Sequence, residues 1–267
     1  MKHLCVSWRD PSQRDWHVVG RLSHGDGIFR FEYTLGALRA FEHGSFLPFP
    51  SFPELDVAYE SPRLFPFFSN RLLPKGRPDY ADFIRWISAH HQEEDPIALL
   101  GASGGRRQTD SDTLQLFPLP ERDPQGYYHL HFFSHGSRHM PEASVERILR
   151  LKRKDRLLIG RDIQNPHDAG ALTLRTSDEA PHDFYFVGFM PRYLAKELNS
   201  ALEGDADAEV NVVRVNPPPA PVQFRLLCCL FFRGEAQLFQ SEDYQPITQS
   251  PQNDELLRRP ARFLVRG

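Results

Sequence analysis

Seven prolines fall between Leu47 and Pro78 (LPFPSFPELDVAYESPRLFPFFSNRLLPKGRP), and no long helix survives that spacing. Each proline withholds a backbone N–H and crowds the turn before it. The whole chain continues the theme, with 23 Pro and 21 Phe against 3 Met in 267 residues. Such a chain favours short strands and kinked loops over long helices. Apolar and charged fractions of 40% and 25% exclude a disordered, collagenous or coiled-coil chain. The length suits one large or two small domains. The longest apolar run, Leu226–Phe232, falls far short of the roughly 20 residues a membrane span needs. Met1–Asp10, broken by Lys2, His3 and Arg9, does not read as a signal peptide. Cys5, Cys228 and Cys229 cannot build a disulfide framework, so the expected location is the cytoplasm, with reduced thiols. A net charge of −3 and a pI near 6.5 argue against wholesale coating of nucleic acid and leave room for a local basic patch.

Strands are predicted at Lys2–Trp8, Trp16–Leu22 and Ile28–Tyr33 in the first part of the chain. Asp79 is expected to cap a helix over Tyr80–His91, with Phe83, Ile84 and Ile87 on one face and Trp86 at its edge. Another short helix starts at Pro96–Leu100, a polar turn covers Gly101–Asp112, and a strand returns at Thr113–Phe117. Pro118–Gly126 has linker composition and sets the boundary, giving domains 1–120 and 121–240 and a polar, loose tail 241–267. The second half reads as strands Tyr127–Phe133, Arg156–Arg161, Ala171–Arg175, Phe184–Phe189, Glu209–Val215 and Val222–Phe232. Helices Ala143–Lys152 and Arg192–Leu202 interrupt them, the second started by Pro191 and stopped by Gly204. Many short strands with few helices suggest a small Greek-key barrel.

Two resemblances sharpen this α+β reading. Over Tyr127–Arg233 the order Arg156–Arg161 (RLLIGR), Asp162, Asn165-Pro166-His167-Asp168, Ala171–Leu174 and Val187–Arg192 (VGFMPR) before a helix resembles the HIRAN domain. Phe132 and Phe133 match the paired aromatics of that family's first strand. The resemblance implies an OB-like β-barrel with one or two helices that holds the free 3′ end of single-stranded DNA. Over Lys2–Pro120, Val19–Leu22, Leu47-Pro48, Phe67–Pro74 and Pro96–Gly101 resemble the N-terminal subdomain of HipA-type toxin kinases. The kinase core that should follow is absent, so no kinase activity is carried over.

Under the first resemblance Asp168 meets the terminal sugar hydroxyl and repels a 3′-phosphate, while Asn165 shapes the turn. His167, standing where the family often has Tyr, and one of Phe132 and Phe133 stack on bases, as Phe189 could. Arg161 and Arg192, the latter at a helix start, hold phosphates. Arg147, Arg150, Lys152, Arg153, Lys154, Arg156 and Arg161 set seven cations against Asp155, a net +6 in fifteen residues. The expected partners are single-stranded DNA and, for the first half, a protein such as a HipA-type kinase or a DNA-processing enzyme, with no cofactor, no metal, no membrane and no catalysis. The alternative reading is a protein-interaction regulator, antitoxin-like, that restrains a separate HipA-type kinase through an exposed Phe65-Pro66-Phe67-Phe68 segment. A metal site built from His129, His131, His135 and His139 is disfavoured, because Gly136 interrupts the set and no acidic residue lies within it. Gly101–Gly105 (GASGG) carries the letters of a nucleophile elbow around Ser103 without the strand before it that such an elbow needs.

Overall fold

The structure is a computed structural model describing all residues except 1, 90–91, 106–112, 137–139, 167, 178–183, 203–206, 235–237 and 250–267. The elements run β1 (Lys2–Arg9), β2 (Trp16–Gly25), β3 (Ile28–Tyr33), α1 (Leu35–Glu42), β4 (Tyr59–Ser61), α2 (Pro66–Ser69), α3 (Tyr80–Trp86), α4 (Pro96–Ser103) and β5 (Leu114–Pro118). They continue as β6 (Tyr128–Phe133), α5 (Glu142–Arg150), β7 (Arg156–Arg161), β8 (Leu172–Thr176), β9 (Phe186–Phe189), α6 (Arg192–Ala201), β10 (Asp207–Val215) and β11 (Leu226–Arg233).

The chain forms two compact units, but not at the predicted boundary alone. The first takes the described parts of Met1–Leu72, Gly104–Pro118 and Gln240–Gly267, and the second takes Leu73–Ser103 and Leu119–Phe239. The crossing at Pro118 falls where the linker was expected. The segment carrying α3 and α4 belongs with the second unit, however, and the residues from Gln240 with the first. The physical reason lies in the apolar residues these segments hold. Phe83 of α3 packs on Phe224, 5.9 Å between ring centroids, and Asn216 Nδ2 donates to Trp86 O at 3.0 Å. The tail is not loose up to Gln249. Tyr244 and Ile247 are buried, Gln245 O accepts from Leu35 N, and Arg39 pairs with both Glu242 and Asp243.

In the first unit five antiparallel strands lie in the order β4-β3-β2-β1-β5. Up to Leu72 the proline-rich stretch forms loops, the edge strand β4 and the four-residue α2, and its phenylalanines join those of the sheet and the α1–β4 loop in the core. Phe31, Tyr33, Phe46, Phe49, Phe52 and Phe68 are all buried. The Phe65–Phe68 segment is therefore not the exposed interface expected of it: Phe68 is fully buried and Phe65 and Phe67 are half-buried against Phe52. One hydroxyl organises the loops. Tyr33 Oη donates to Phe52 O at 2.8 Å and accepts from Phe49 N at 2.7 Å, and burial pushes this phenol far above its usual range. Tyr33→Phe leaves a buried N–H and a buried carbonyl without that partner, so urea melts should show a loss of roughly 2–4 kcal/mol. A loss below about 0.5 kcal/mol would mean that water reaches both groups.

In the second unit six strands lie in the order β6-β11-β10-β7-β8-β9. The sheet curls until its edges meet: His135 N donates to Phe189 O at 2.9 Å and Phe189 N to His135 O at 3.0 Å. Ser134 Oγ, buried, reaches across the same seam to Val187 O at 2.8 Å. The result is a curled six-stranded half-barrel, consistent with the small barrel that the strand pattern predicts. The helix after Asp79 is shorter than expected. α3 stops at Trp86, since Ser88 takes a positive φ of 57°, and Asp79 accepts from Arg77 rather than capping the helix. α1 was not read from the sequence at all. Ser103 lies on α4 with its Oγ donating to Leu99 O at 2.7 Å, and so occupies a helix rather than an elbow.

Candidate nucleic-acid interface

The β7–β8 hairpin turns through Asp162–Ala171, and its side chains build the turn. Asn165 Nδ2 donates to Asp162 Oδ2 at 3.1 Å, Asn165 Oδ1 accepts from Asp168 N at 3.1 Å, and Asp168 Oδ1 accepts from Gly170 N at 3.0 Å. The Asn-Pro-x-Asp signature thus supplies acceptors to backbone amides, as short polar side chains in turns do. The turn is bolted to α6. Asn199 Nδ2 donates to Gly170 O at 2.6 Å, and Arg161 Nη2 to Asn199 O at 3.2 Å.

Asp168 and Arg192 were expected to act separately, one on a hydroxyl and one on a phosphate. They instead face each other as an ion pair, Nε to Oδ2 at 2.6 Å, each about a quarter exposed. Both Asp168 oxygens are engaged by the protein. Arg161, Asn165, Asp168 and Arg192 are therefore brought together at one end of the barrel. His167 lies outside the described residues.

The aromatic expectations are redistributed. Phe132 and Phe133 are both buried, so neither is a stacking platform. Tyr128, Leu130 and Phe132 fill the barrel, whereas Phe133 shares the outer face with His129 and His131 and is covered by Phe224, 5.1 Å between centroids. The cover comes from the turn before β11, backed by Phe83 of α3. The half-exposed rings lie instead on β9. Thr173 pairs with Phe189 and Arg175 with Phe186 across the β8–β9 bulge, and the two rings touch at 4.9 Å with planes 69° apart. Leu158, 40% exposed, pairs with Arg175 from the other side. Leu172, Leu174, Thr176 and Val187 are buried in the barrel, which places Phe189, Phe186, Arg175 and Leu158 on its outer face.

This strip has two distinct ends. At one, Arg161 pairs with Leu172 and Met190 N bonds Leu172 O, which puts the Asp168–Arg192 cluster beside Phe189. At the other, Leu157 pairs with Thr176 and Ser177 Oγ bonds Arg156 O. Here Phe184 is 57% exposed, and the turn ahead of β7 exposes Lys152, Arg153, Lys154 and Arg156. Arg150 is exposed as well, and Arg147 half-buried on α5. Five residue steps along β7 separate the two ends by roughly 17 Å. Arg175, Phe184, Phe186 and Asn199 were not singled out from the sequence. Alternation places Arg175 opposite Leu172 and Leu174, but the bulge that sets Phe186 beside it leaves no mark in the letters.

Elsewhere on the barrel, His129 Nε2 and Asp123 Oδ2 lie 2.6 Å apart, and this bond with two backbone N–H groups holds the Asp123 carboxyl below its usual range. His135 is taken up by the barrel seam, His139 lies outside the described residues, and no three metal-ligating side chains cluster among the described residues. Burial pushes the Cys229 thiol up to about 11 and that of Cys228 higher still, so both stay protonated. No helix among the described residues is long and apolar enough to cross a membrane.

No family model matches the chain. No curated protein matches it either. Among solved structures, the chain is similar to a protein from Lactobacillus plantarum at 16% identity and a TM-score of 0.31, over 40% of this chain and 97% of that one. It is also similar to the HIRAN domain of human HLTF at 18% identity and a TM-score of 0.29, over 41% of this chain and 81% of that one. Both likenesses are faint, and the curled half-barrel is described here from its own strand order and the bridge between His135 and Phe189.

Proposed function

We propose that this chain is a non-catalytic DNA-binding protein that holds the free 3′ end of a single strand on the outer face of its barrel unit. The observation that carries the reading is the strip itself, with half-exposed Phe186 and Phe189 beside Arg175, between an Asp–Arg cluster and an exposed basic turn. Aromatic faces take bases of any sequence while cations along the track take phosphates, and that combination marks single-strand binding. The HIRAN-like order of motifs supports the polarity. The terminal sugar hydroxyl donates to Asp168, already oriented by Arg192, and the next bases lie on Phe189 and Phe186. The phosphates run toward Arg175 and Lys152–Arg156.

Fluorescence anisotropy with three labelled DNAs tests this reading: a strand with a free 3′-hydroxyl, the same strand 3′-phosphorylated, and a blunt duplex. The free end should bind at least ten-fold tighter than the phosphorylated one. Asp168→Asn keeps an acceptor for Gly170 N but removes the charge that repels phosphate, so the variant should lose that discrimination and retain the free-end affinity within a few-fold. Equal binding of all three DNAs that vanishes with salt would reduce the basic turn to a solvated surface and overturn the reading.

A further inference from the structure

Arg225 is a buried cation with no anion beside it. It stands between the Val222–Phe224 turn and β11 and is 8% exposed. Its Nη2 donates to Ala220 O at 3.0 Å, Nε is buried without a partner, and Nη1 keeps contact with the surface. No carboxylate pairs with this guanidinium among the described residues, and burial alone acts on it, holding its pKa below the usual arginine range. The surroundings are fixed by hydrogen bonds. Asn216 N donates to Arg225 O at 2.9 Å, while Asn216 Nδ2 clamps Phe224 O at 2.6 Å and Trp86 O at 3.0 Å. Close along the sheet, Arg214 pairs with Leu227 and spends its Nη1 on Arg85 O at 2.5 Å, and the Asp82 carboxylate of α3 is taken by Arg85. Leu226 O accepts from Ser134 N, and His135 bridges to Phe189. The backbone of Arg225 therefore lies two strand spacings, roughly 10 Å, from that of Phe189.

A guanidinium withdrawn from water needs acceptors or an opposite charge around it, and here a single carbonyl meets it. We propose that Arg225 is the centre of an anion site that takes a phosphate group. The phosphate meets Nη1 where it reaches the surface, and Arg214 adds positive potential from β10. Guanidinium donors match phosphate oxygens, and the bond to Ala220 O holds the fork in place before the anion arrives. Two sources share this chemistry: a free phosphate, and a phosphodiester of a strand that lies on Phe189. Only the second rests on the DNA-binding reading above.

Urea melts of the full chain in phosphate and in chloride at equal ionic strength test the site, with calorimetric titration of inorganic phosphate as the second readout. Arg225→Gln keeps a donor for Ala220 O and removes the charge. In chloride the variant should melt no earlier than the unsubstituted chain, because a buried charge that nothing offsets is gone. A free-phosphate site should raise the midpoint of the unsubstituted chain in phosphate, and Arg225→Gln should weaken that binding at least ten-fold. If a strand phosphate is the occupant, fluorescence anisotropy with a free-ended single strand should show Arg225→Gln binding at least ten-fold more weakly, with a salt slope lower by about 0.7. Whichever arm responds names the source. The proposal is overturned if Arg225→Gln changes neither phosphate binding nor strand affinity, or if it destabilises the chain equally in both salts, which is the mark of a purely structural guanidinium. Failure of the DNA reading shows separately, as equal binding of the free and the 3′-phosphorylated strand, and leaves the free-phosphate arm intact.

Discussion

Gly188→Ala should disrupt the barrel unit, with a stability loss of roughly 3–5 kcal/mol. Two independent terms point the same way. Gly188 has a φ of 128°, a backbone region that L side chains rarely enter, and holding a non-glycine residue there costs on the order of 1–3 kcal/mol. A methyl group at this position would also stand 1.9 Å from Ser134 Oγ and 2.7 Å from His135 O. Those atoms belong to the seam where β9 meets the extension of β6, so they cannot retreat without breaking the bonds that close the sheet. Overpacking of this kind costs about 1–3 kcal/mol more. The sum is a large share of the 5–15 kcal/mol a typical domain holds. The matched control is Gly126→Ala: φ there is also positive, at 87°, but no atom lies within 4 Å, so only the backbone term of about 1 kcal/mol applies. Urea melts of the two variants should differ by at least 2 kcal/mol, and similar melts would show that the seam contributes nothing to stability.

That glycine also marks where sequence reading stops. Ile28–Tyr33 and Arg156–Arg161 were legible residue for residue, and most other strands to within a few residues, because alternation and turn chemistry are local signals. The barrel seam was not legible. It joins His135 to Phe189 through backbone atoms, and no side-chain pattern announces it. The same limit explains the site. The Asn165–Asp168 turn was visible since its side chains bond within six residues of themselves, whereas the Asp168–Arg192 pair depends on a contact across 24 positions. One of Phe132 and Phe133 was expected to meet a base, and neither does because the cover of the outward one, Phe133, is Phe224 with Phe83 behind it, from distant segments, one of which had been assigned to the other domain. Tyr244 and Ile247 misled for a related reason. Two apolar residues in a polar tail are too few to form a periodic signal, yet enough to fasten the tail to the first unit.

The largest functional effect is expected from Phe186→Leu combined with Arg175→Gln. Neither residue reaches into the barrel, and leucine preserves most of the volume that Phe186 presents to Phe189, so the fold should persist. What leucine lacks is a π face. Loss of a base–aromatic stack costs about 1–3 kcal/mol, and loss of one phosphate contact lowers the salt slope of single-strand binding by about 0.7. The double variant should therefore bind a free-ended strand roughly 10- to 100-fold more weakly at moderate salt, with a measurably shallower dependence on salt concentration. Phe132→Leu supplies the contrast. That ring is buried inside the barrel and should alter stability while leaving DNA affinity within about two-fold. If the order reverses, with Phe132→Leu abolishing binding and the outer pair dispensable, the strand must enter the barrel rather than lie upon it. If neither change moves the affinity or its salt slope, Phe186 and Arg175 do not contact the strand, and the outer face of β8 and β9 is not where DNA binds.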